Sequence, residues 1–443
     1  MQGRGRISLR CGNFSAKNDR DFEIRGENFM LQEAIILATA QKFFDSGVEF
    51  LNAGDYDSAV DFFTRAIKLD KKCADAYNGR GSAYAALKDF YRAIKDFHAA
   101  IELAPDNAPA FYNLANAYYE YGELEFAVDY YDKAIQINSH YVDAYINRGI
   151  VYVELKSLRR AIADFTAAIK LDKNCVDAYN NRGIAYSKLE NYSRAVADFT
   201  RAIEISPNDA QFYYNRGLTH SEFNFFERAI DDFTRAIALG RCDAKVFVHR
   251  SEMYIESGNY ELALPDLDRA IELAPDYADA YYTRGLANIH FKKYRRVVED
   301  FSKVLELEPD SAPAYCHRGL AYAELKLFKK AIIDLSEAVA LGVKDPFIFR
   351  RCGEIHAALN EYRNAIDNFK VAIALNPNDI LAHKELGNLH LKLGDYRWAI
   401  DDFTKVLELD PTDAEAYQSR AEAYAAKAER DLSKAEIFRG RKF

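Results

Sequence analysis

A 34-residue period runs through this chain without a single insertion, and nothing else in the sequence restricts the fold as strongly. Eleven full repeats begin at Ala40, Ala74, Ala108, Val142, Val176, Ala210, Ala244, Ala278, Ala312, Pro346 and Ile380, and a partial twelfth begins at Ala414. A chain of 443 residues would otherwise be divided into a few globular domains, but an internal repeat overrides that expectation. With each start as position 1, position 8 is glycine in nine copies, from Gly47 to Gly387, and small in the others (Ala115, Ser251, Ala421). Position 20 is alanine except at Val297, and position 24 is aromatic in nine of eleven full repeats, Leu267 and Leu335 being the exceptions. Small and large slots that alternate in this way interlock two helices at close range. Proline at position 32 in six repeats (Pro105, Pro207, Pro275, Pro309, Pro377, Pro411) ends the second helix. Glycine at position 15 (Gly54, Gly122, Gly258, Gly394) marks the turn inside the pair. One such hairpin cannot bury both of its faces, so neighbours must stack on it and the ends need caps.

The stretch RGSAYAALKDFYRAIKDFHAAIELAPDN, starting at Arg80, resembles a tetratricopeptide repeat, whose pattern is W-x2-L-G-x2-Y, then A-x3-F, then P. An aromatic residue (Phe43, Tyr77, Phe111, Tyr145) stands at the tryptophan position. The resemblance covers Ala40 to about Tyr424. It implies an all-α fold, a right-handed α-solenoid of helix-turn-helix hairpins wound into a superhelix, with the first helices lining a concave face. The domain reading is then residues 1–29 as a disordered basic leader, 30–39 as an N-terminal helical cap, 40–413 as eleven consecutive repeats, and 414–443 as a partial twelfth repeat with a C-terminal capping helix of charged outer face. The leader carries Arg4, Arg6, Arg10 and Lys17 with no acid in its first 18 residues. A targeting leader, or a start at Met30 where helical patterning begins, are the alternatives.

Position 7 departs from the family, which commonly has leucine there. Here it is Arg80, Arg148, Arg182, Arg216, Arg250, Arg284 and Arg318, and Arg420 in the partial repeat. Each full repeat with the arginine carries an acid at position 23: Asp96, Asp164, Asp198, Asp232, Asp266, Asp300 and Asp334. Ser46, Leu114 and Cys352 stand instead with Phe62, Tyr130 and Asn368, so presence and absence agree in ten of eleven full repeats, Leu386 with Asp402 being the exception. The copies act as an internal alignment, and they predict a partly buried, bidentate arginine–aspartate pair inside each hairpin. A phosphate-binding row of arginines is the competing reading.

Positions 2, 5, 6, 9, 12 and 13 of the first helix are expected to face the groove. Four successive repeats carry Asn113, Asn147, Asn181 and Asn215 at position 6, flanked by Asn116 and Asn180. A carboxamide offers a donor and an acceptor together, which matches a peptide unit of any sequence. The row resembles the asparagine ladder in the repeat region of O-linked sugar transferases, although no catalytic domain follows it here; a row of solvated polar residues is the bland reading. Ile150, Ile184, Leu218, Leu286 and Leu320 at position 9, with Ile146, Tyr214, Tyr282, Val153, Ile255 and Ile289 at positions 5 and 12, form an apolar stripe at helical spacing, and Tyr112 is a further groove residue. An exposed stripe of that length marks a binding surface; burial of the stripe within the chain is the alternative.

No GxxxxGK[ST], HExxH or cysteine–histidine cluster at metal spacing occurs. The reading is therefore a chain without catalytic residues, cofactor or metal. The carboxylate-clamp form of the family is matched only by Lys384 and Asn388, with Ser419 where the next asparagine belongs. A net charge of −9 gives no basic stripe for nucleic acid. No apolar run is long enough to span a bilayer, and six cysteines lack a CxxC pair. These observations point to a cytoplasmic scaffold or adaptor that binds a protein or peptide segment, with self-association into a homo-oligomer as the alternative.

Overall fold

The computed structural model describes the backbone of residues 16–440 and the side chains of residues 32–439. Among the described residues every regular element is an α-helix. From the second repeat to the eleventh, each folds as two antiparallel helices of 13 or 14 residues, as in the fifth repeat with Val176–Lys188 followed by Tyr192–Ile205. The chain divides into two compact units, Met1–Thr219 and His220–Phe443. Within each, hairpins pack side by side.

The turn inside the hairpin is the same in all eleven repeats. Position 15 has positive φ whether it is glycine (Gly54, Gly122, Gly258, Gly394) or not (Lys88, Lys156, Glu190, Asn224, Lys292, Lys326, Asn360). The next N–H then reaches back to the carbonyl of position 11, as Asn191 does to Tyr186 at 2.9 Å. This closes the helix end in the manner glycine favours, and seven side-chain-bearing residues accept the left-handed geometry to make the same closure.

In eight repeats the hairpin core is the position-24 side chain held against the position-8 glycine of its own repeat. Phe63, Phe97, Phe165, Phe199, Phe301, Phe369 and Phe403 are all at most 1% exposed, and the position-20 alanine of each repeat, or Val297 in the repeat of Phe301, is buried as well. Such rings are the largest apolar burial in each repeat and dominate its stability.

The ends differ from the sequence expectation. One continuous helix, Ala16–Asn52, contains both the expected cap and residues 16–29 of the expected leader. Residues 1–15 of that leader lie outside the described residues. No proline interrupts the sequence there. At the other end Ala414–Gly440 is a single helix of 27 residues. Its distal face is not purely charged, because Leu432, Ile437 and Phe438 are more than half exposed. Among the described residues no helix is long and apolar enough to cross a membrane.

Candidate functional site

The position-7 arginines are held between two repeats. In five of them the guanidinium meets the aspartate of its own hairpin with two parallel bonds: Arg182 Nε donates to Asp198 Oδ2 and Nη2 to Asp198 Oδ1, both at 2.8 Å. Arg80 with Asp96, Arg148 with Asp164, Arg250 with Asp266 and Arg318 with Asp334 repeat the geometry at 2.6–2.9 Å. Arg284 instead places Nε and Nη2 on one oxygen of Asp300, at 3.1 and 2.6 Å. Arg216 and Asp232 lie in different units.

The remaining Nη1 reaches position 25 of the preceding repeat. Its acceptor is a hydroxyl at Thr64, Thr166, Thr200, Thr234 and Ser302, and a carboxylate at Asp132 and Asp268. Each such arginine therefore fixes the angle inside its hairpin and also ties that hairpin to its neighbour. The position-23 carboxylates are 2–7% exposed. Burial pushes those of Asp164 and Asp300 up from the ordinary value, against the pull of their arginines. The arginine face also lies about a tyrosine, Arg182 Cζ being 5.6 Å from the Tyr179 ring. Guanidinium groups engaged on every side have little left for a phosphate.

The asparagine row is likewise committed to neighbouring repeats. Asn113 donates to Asn78 at 3.1 Å, and Asn215 donates to Asn180 at 2.7 Å. Asn147 donates to Tyr112 at 2.9 Å and to Asn116 at 3.1 Å. Asn181 makes no side-chain hydrogen bond among the described residues. Position 6 of one first helix thus meets positions 5 and 9 of the previous one, and most of the ladder is an inter-repeat seam.

The apolar stripe divides into two parts. Ile146 and Tyr214 are 8% and 7% exposed, which removes them from any exposed band. Ile146 belongs to the core with Phe165 and Ala178, because position 5 points into the seam between successive first helices. Tyr112, Ile150, Ile184, Leu218, Tyr282, Leu286 and Leu320 are half-buried, with part of each side chain facing out.

In the second unit that partial exposure opens into a cavity of about 550 Å³, lined by Leu286, Ile289, Tyr294, His317, Leu320, Ala321, Glu324, Phe347, Arg350, Arg351 and Glu354. Its floor is apolar, and Phe347 is 41% exposed at one side. Its rim is a charge chain. Arg351 bridges Glu324 and Glu354, each at 2.7 Å, and Arg350 Nη1 holds the other oxygen of Glu354 at 3.0 Å. The His317 ring stacks on Phe301 with centroids 5.1 Å apart, and burial lowers its pKa, so the ring meeting the cavity is neutral at pH 7. An apolar floor with a few fixed polar groups is the usual build of a binding pocket of this size. Sequence reasoning missed Phe347, Arg350 and Arg351. Their signal was an aromatic at position 2, where Asp, Pro, Gln or Lys stands in the eight preceding repeats from Ala74 onward.

In the first unit a smaller cavity of about 380 Å³ is lined by Asn116, Tyr119, Glu120, Tyr131, Asn147 and Ile150. Among the described residues no cluster of His, Cys, Asp and Glu is placed to hold a metal ion.

Helix pairs repeated in register, each tied to the next through side chains and presenting side cavities on the first helices, define an α-helical repeat scaffold. Family models described as tetratricopeptide repeat match residues 44–108, 108–141, 142–175, 176–209, 312–341 and 380–413, and a TPR repeat model matches residues 252–289 and 353–394. The chain belongs to the tetratricopeptide repeat family, whose members serve as protein-interaction scaffolds. No curated protein matches it.

Among solved structures, YrrB, described as a TPR protein with an unusual peptide-binding site, is 29% identical, covering 42% of this chain and 97% of its own, with a TM-score of 0.37. A tetratricopeptide repeat protein from Parabacteroides merdae is 20% identical over 56% of this chain and 99% of its own, with a TM-score of 0.45. Yeast Tom70 is 17% identical over 91% of this chain and 98% of its own, with a TM-score of 0.36.

Proposed function

We propose that this chain is a non-catalytic adaptor that holds a segment of a partner protein against its first helices, with the cavity floored by Leu286, Ile289 and Leu320 as the principal seat. The observation that carries this reading is the cavity itself, an apolar floor of binding-pocket size beside an exposed Phe347 and a rigid charged rim. A large apolar side chain of the segment fills the floor, and its flanking polar groups meet the rim. The described cysteines are all unpaired, which suits the reducing cytoplasm.

Peptides selected from a random library on the full chain provide the probe. Leu320→Arg is expected to weaken them by at least about thirtyfold, the loss of one central anchor, with helicity by circular dichroism unchanged. Replacing Asn147, Asn181 and Ile184 together is expected to cost less, because Asn147 already serves the inter-repeat seam. Binding that survives Leu320→Arg and is lost in the triple variant moves the seat to the first unit.

A second reading, self-association, has its own observation in the exposed apolar residues of the end helices: Ile35, Ile36 and Leu37 in one, and Leu432, Ile437 and Phe438 in the other. Unpaired faces of this kind at solenoid ends seek a partner. Sedimentation equilibrium is expected to show a concentration-dependent mass that Leu432→Asp with Phe438→Asp abolishes. A monomer at every concentration ends this reading.

A further inference from the structure

Position 11 carries an aromatic or histidine ring in ten of the eleven full repeats, and asparagine in one, at Asn288. In three of the six repeats with tyrosine at this position the ring has two cations within 6 Å of its centre. Tyr152 has Arg148 at 5.9 Å and Arg160 at 5.7 Å; Tyr186 has Arg182 at 5.9 Å and Arg194 at 5.5 Å; Tyr322 has Arg318 at 5.9 Å and Lys330 at 5.4 Å. The cations come from positions 7 and 19. The eighth repeat keeps both of them, as Arg284 and Arg296, and lacks the ring.

The space left is a cavity of about 290 Å³ whose lining includes Arg284, Asn288, Arg296, Asp268, Glu299 and Asp300. Asn288 is 1% exposed. Its Nδ2 donates to Asp300 Oδ2 at 3.1 Å, which is why Arg284 is confined to the other oxygen of that carboxylate. Its Oδ1 is buried without a hydrogen-bond partner among the described residues. An unpaired buried acceptor of this kind costs free energy until a donor reaches it.

We propose that this cavity is a binding site for the phenol ring of a tyrosine side chain presented by a partner protein. The ring takes the place that Tyr152, Tyr186 and Tyr322 fill in their own repeats, with guanidinium groups about its faces. Its hydroxyl donates to Asn288 Oδ1. The acids Asp268, Glu299 and Asp300 offset the two arginines, so an anion gains no net attraction and a neutral ring with one donor fits best. The site is separate from the Leu320 cavity, and its protein source rests on the reading of the chain as a protein-binding scaffold.

The probe is 4-methylphenol, which is the tyrosine side chain alone, titrated into the full chain and followed by ligand-observed NMR, with toluene as the ring without a donor. Saturable binding of 4-methylphenol, stronger than that of toluene, is expected. Asn288→Tyr fills the slot from within and is expected to abolish binding and raise Tm. Arg296→Ala, an exposed change that leaves the core intact, is expected to weaken binding by about tenfold, the scale of one ring–cation contact. Leu320→Arg is expected to leave it unchanged, so failure here and failure of the adaptor seat are read separately. Competition by the blocked tripeptide Gly-Tyr-Gly supports a protein source, and phenol binding without that competition overturns it. Absence of saturable binding, or binding that neither Asn288→Tyr nor Arg296→Ala alters, overturns the site itself.

Discussion

Arg182→Ala is expected to destabilise the fifth repeat and its junction with the fourth by about 3–5 kcal/mol, the cost of leaving one member of a buried ion pair alone. Asp198 is 6% exposed and receives two charge-assisted bonds from that guanidinium, so the truncation strands a carboxylate where water cannot replace them. The bond from Nη1 to Thr166 at 3.0 Å is lost as well, and with it a tie between repeats. Thr166→Val removes only that tie and is expected to cost about 1 kcal/mol, the net worth of one hydrogen bond. The double variant Arg182→Leu with Asp198→Leu is expected to recover most of the loss, since apolar groups of similar volume carry no desolvation penalty. Urea midpoints for the four chains, with hydrogen exchange in Val176–Lys188 and Tyr192–Ile205 to localise the effect, supply the measurement. A double variant no more stable than Arg182→Ala would show that the pair contributes through its own attraction rather than by avoiding a stranded charge.

The same arginine shows what a repeated sequence discloses and what it hides. Eleven copies in register made the link between positions 7 and 23 visible as shared presence and absence. The link to position 25 was written in the same copies but one repeat earlier. Thr, Ser or Asp precedes each arginine, whereas His98, Ser336 and Lys370 precede Leu114, Cys352 and Leu386, so Ser336 is the only hydroxyl or acid without an arginine after it. The exception at Leu386 and Asp402 also has a physical reason. His390, at position 11 of that repeat, brings Nδ1 within 2.7 Å of Asp402 and replaces the missing guanidinium.

Groove residues were harder to read, because which first-helix positions meet the next first helix depends on the rotation between repeats rather than on any local pattern. Asn113, Asn147 and Asn215 carry the chemistry expected for gripping a peptide, but that rotation turns their amides onto Asn78, Tyr112, Asn116 and Asn180. The same rotation buries Ile146 and leaves Leu286 and Leu320 open. Local periodicity also placed the first cap near Met30, whereas helix continues back to Ala16.

The second large effect concerns the ring under the packing glycine. Phe165 is fully buried, and a Cβ built on Gly149 would lie 2.6 Å from its Cε1. Phe165→Ala is expected to cost about 3–5 kcal/mol through lost burial and the cavity left behind. Gly149→Ala alone sets two effects against each other. Alanine in a helix interior gains about 1 kcal/mol over glycine, while forcing a methyl into a filled core costs about 1–3 kcal/mol. The ring has no free side to move toward, so overpacking is expected to win and the single variant to be less stable. Once Phe165 is alanine the obstruction is gone, and the same Gly149→Ala change is expected to stabilise the chain by about 1 kcal/mol, from helix propensity together with partial filling of the vacancy. The effect of one methyl group thus reverses sign with the identity of a residue 16 positions away. A double-mutant cycle on urea midpoints measures the coupling directly. If Gly149→Ala has the same sign in both backgrounds, the glycine is kept for a reason other than the ring, and close approach between the paired helices is not what position 8 provides.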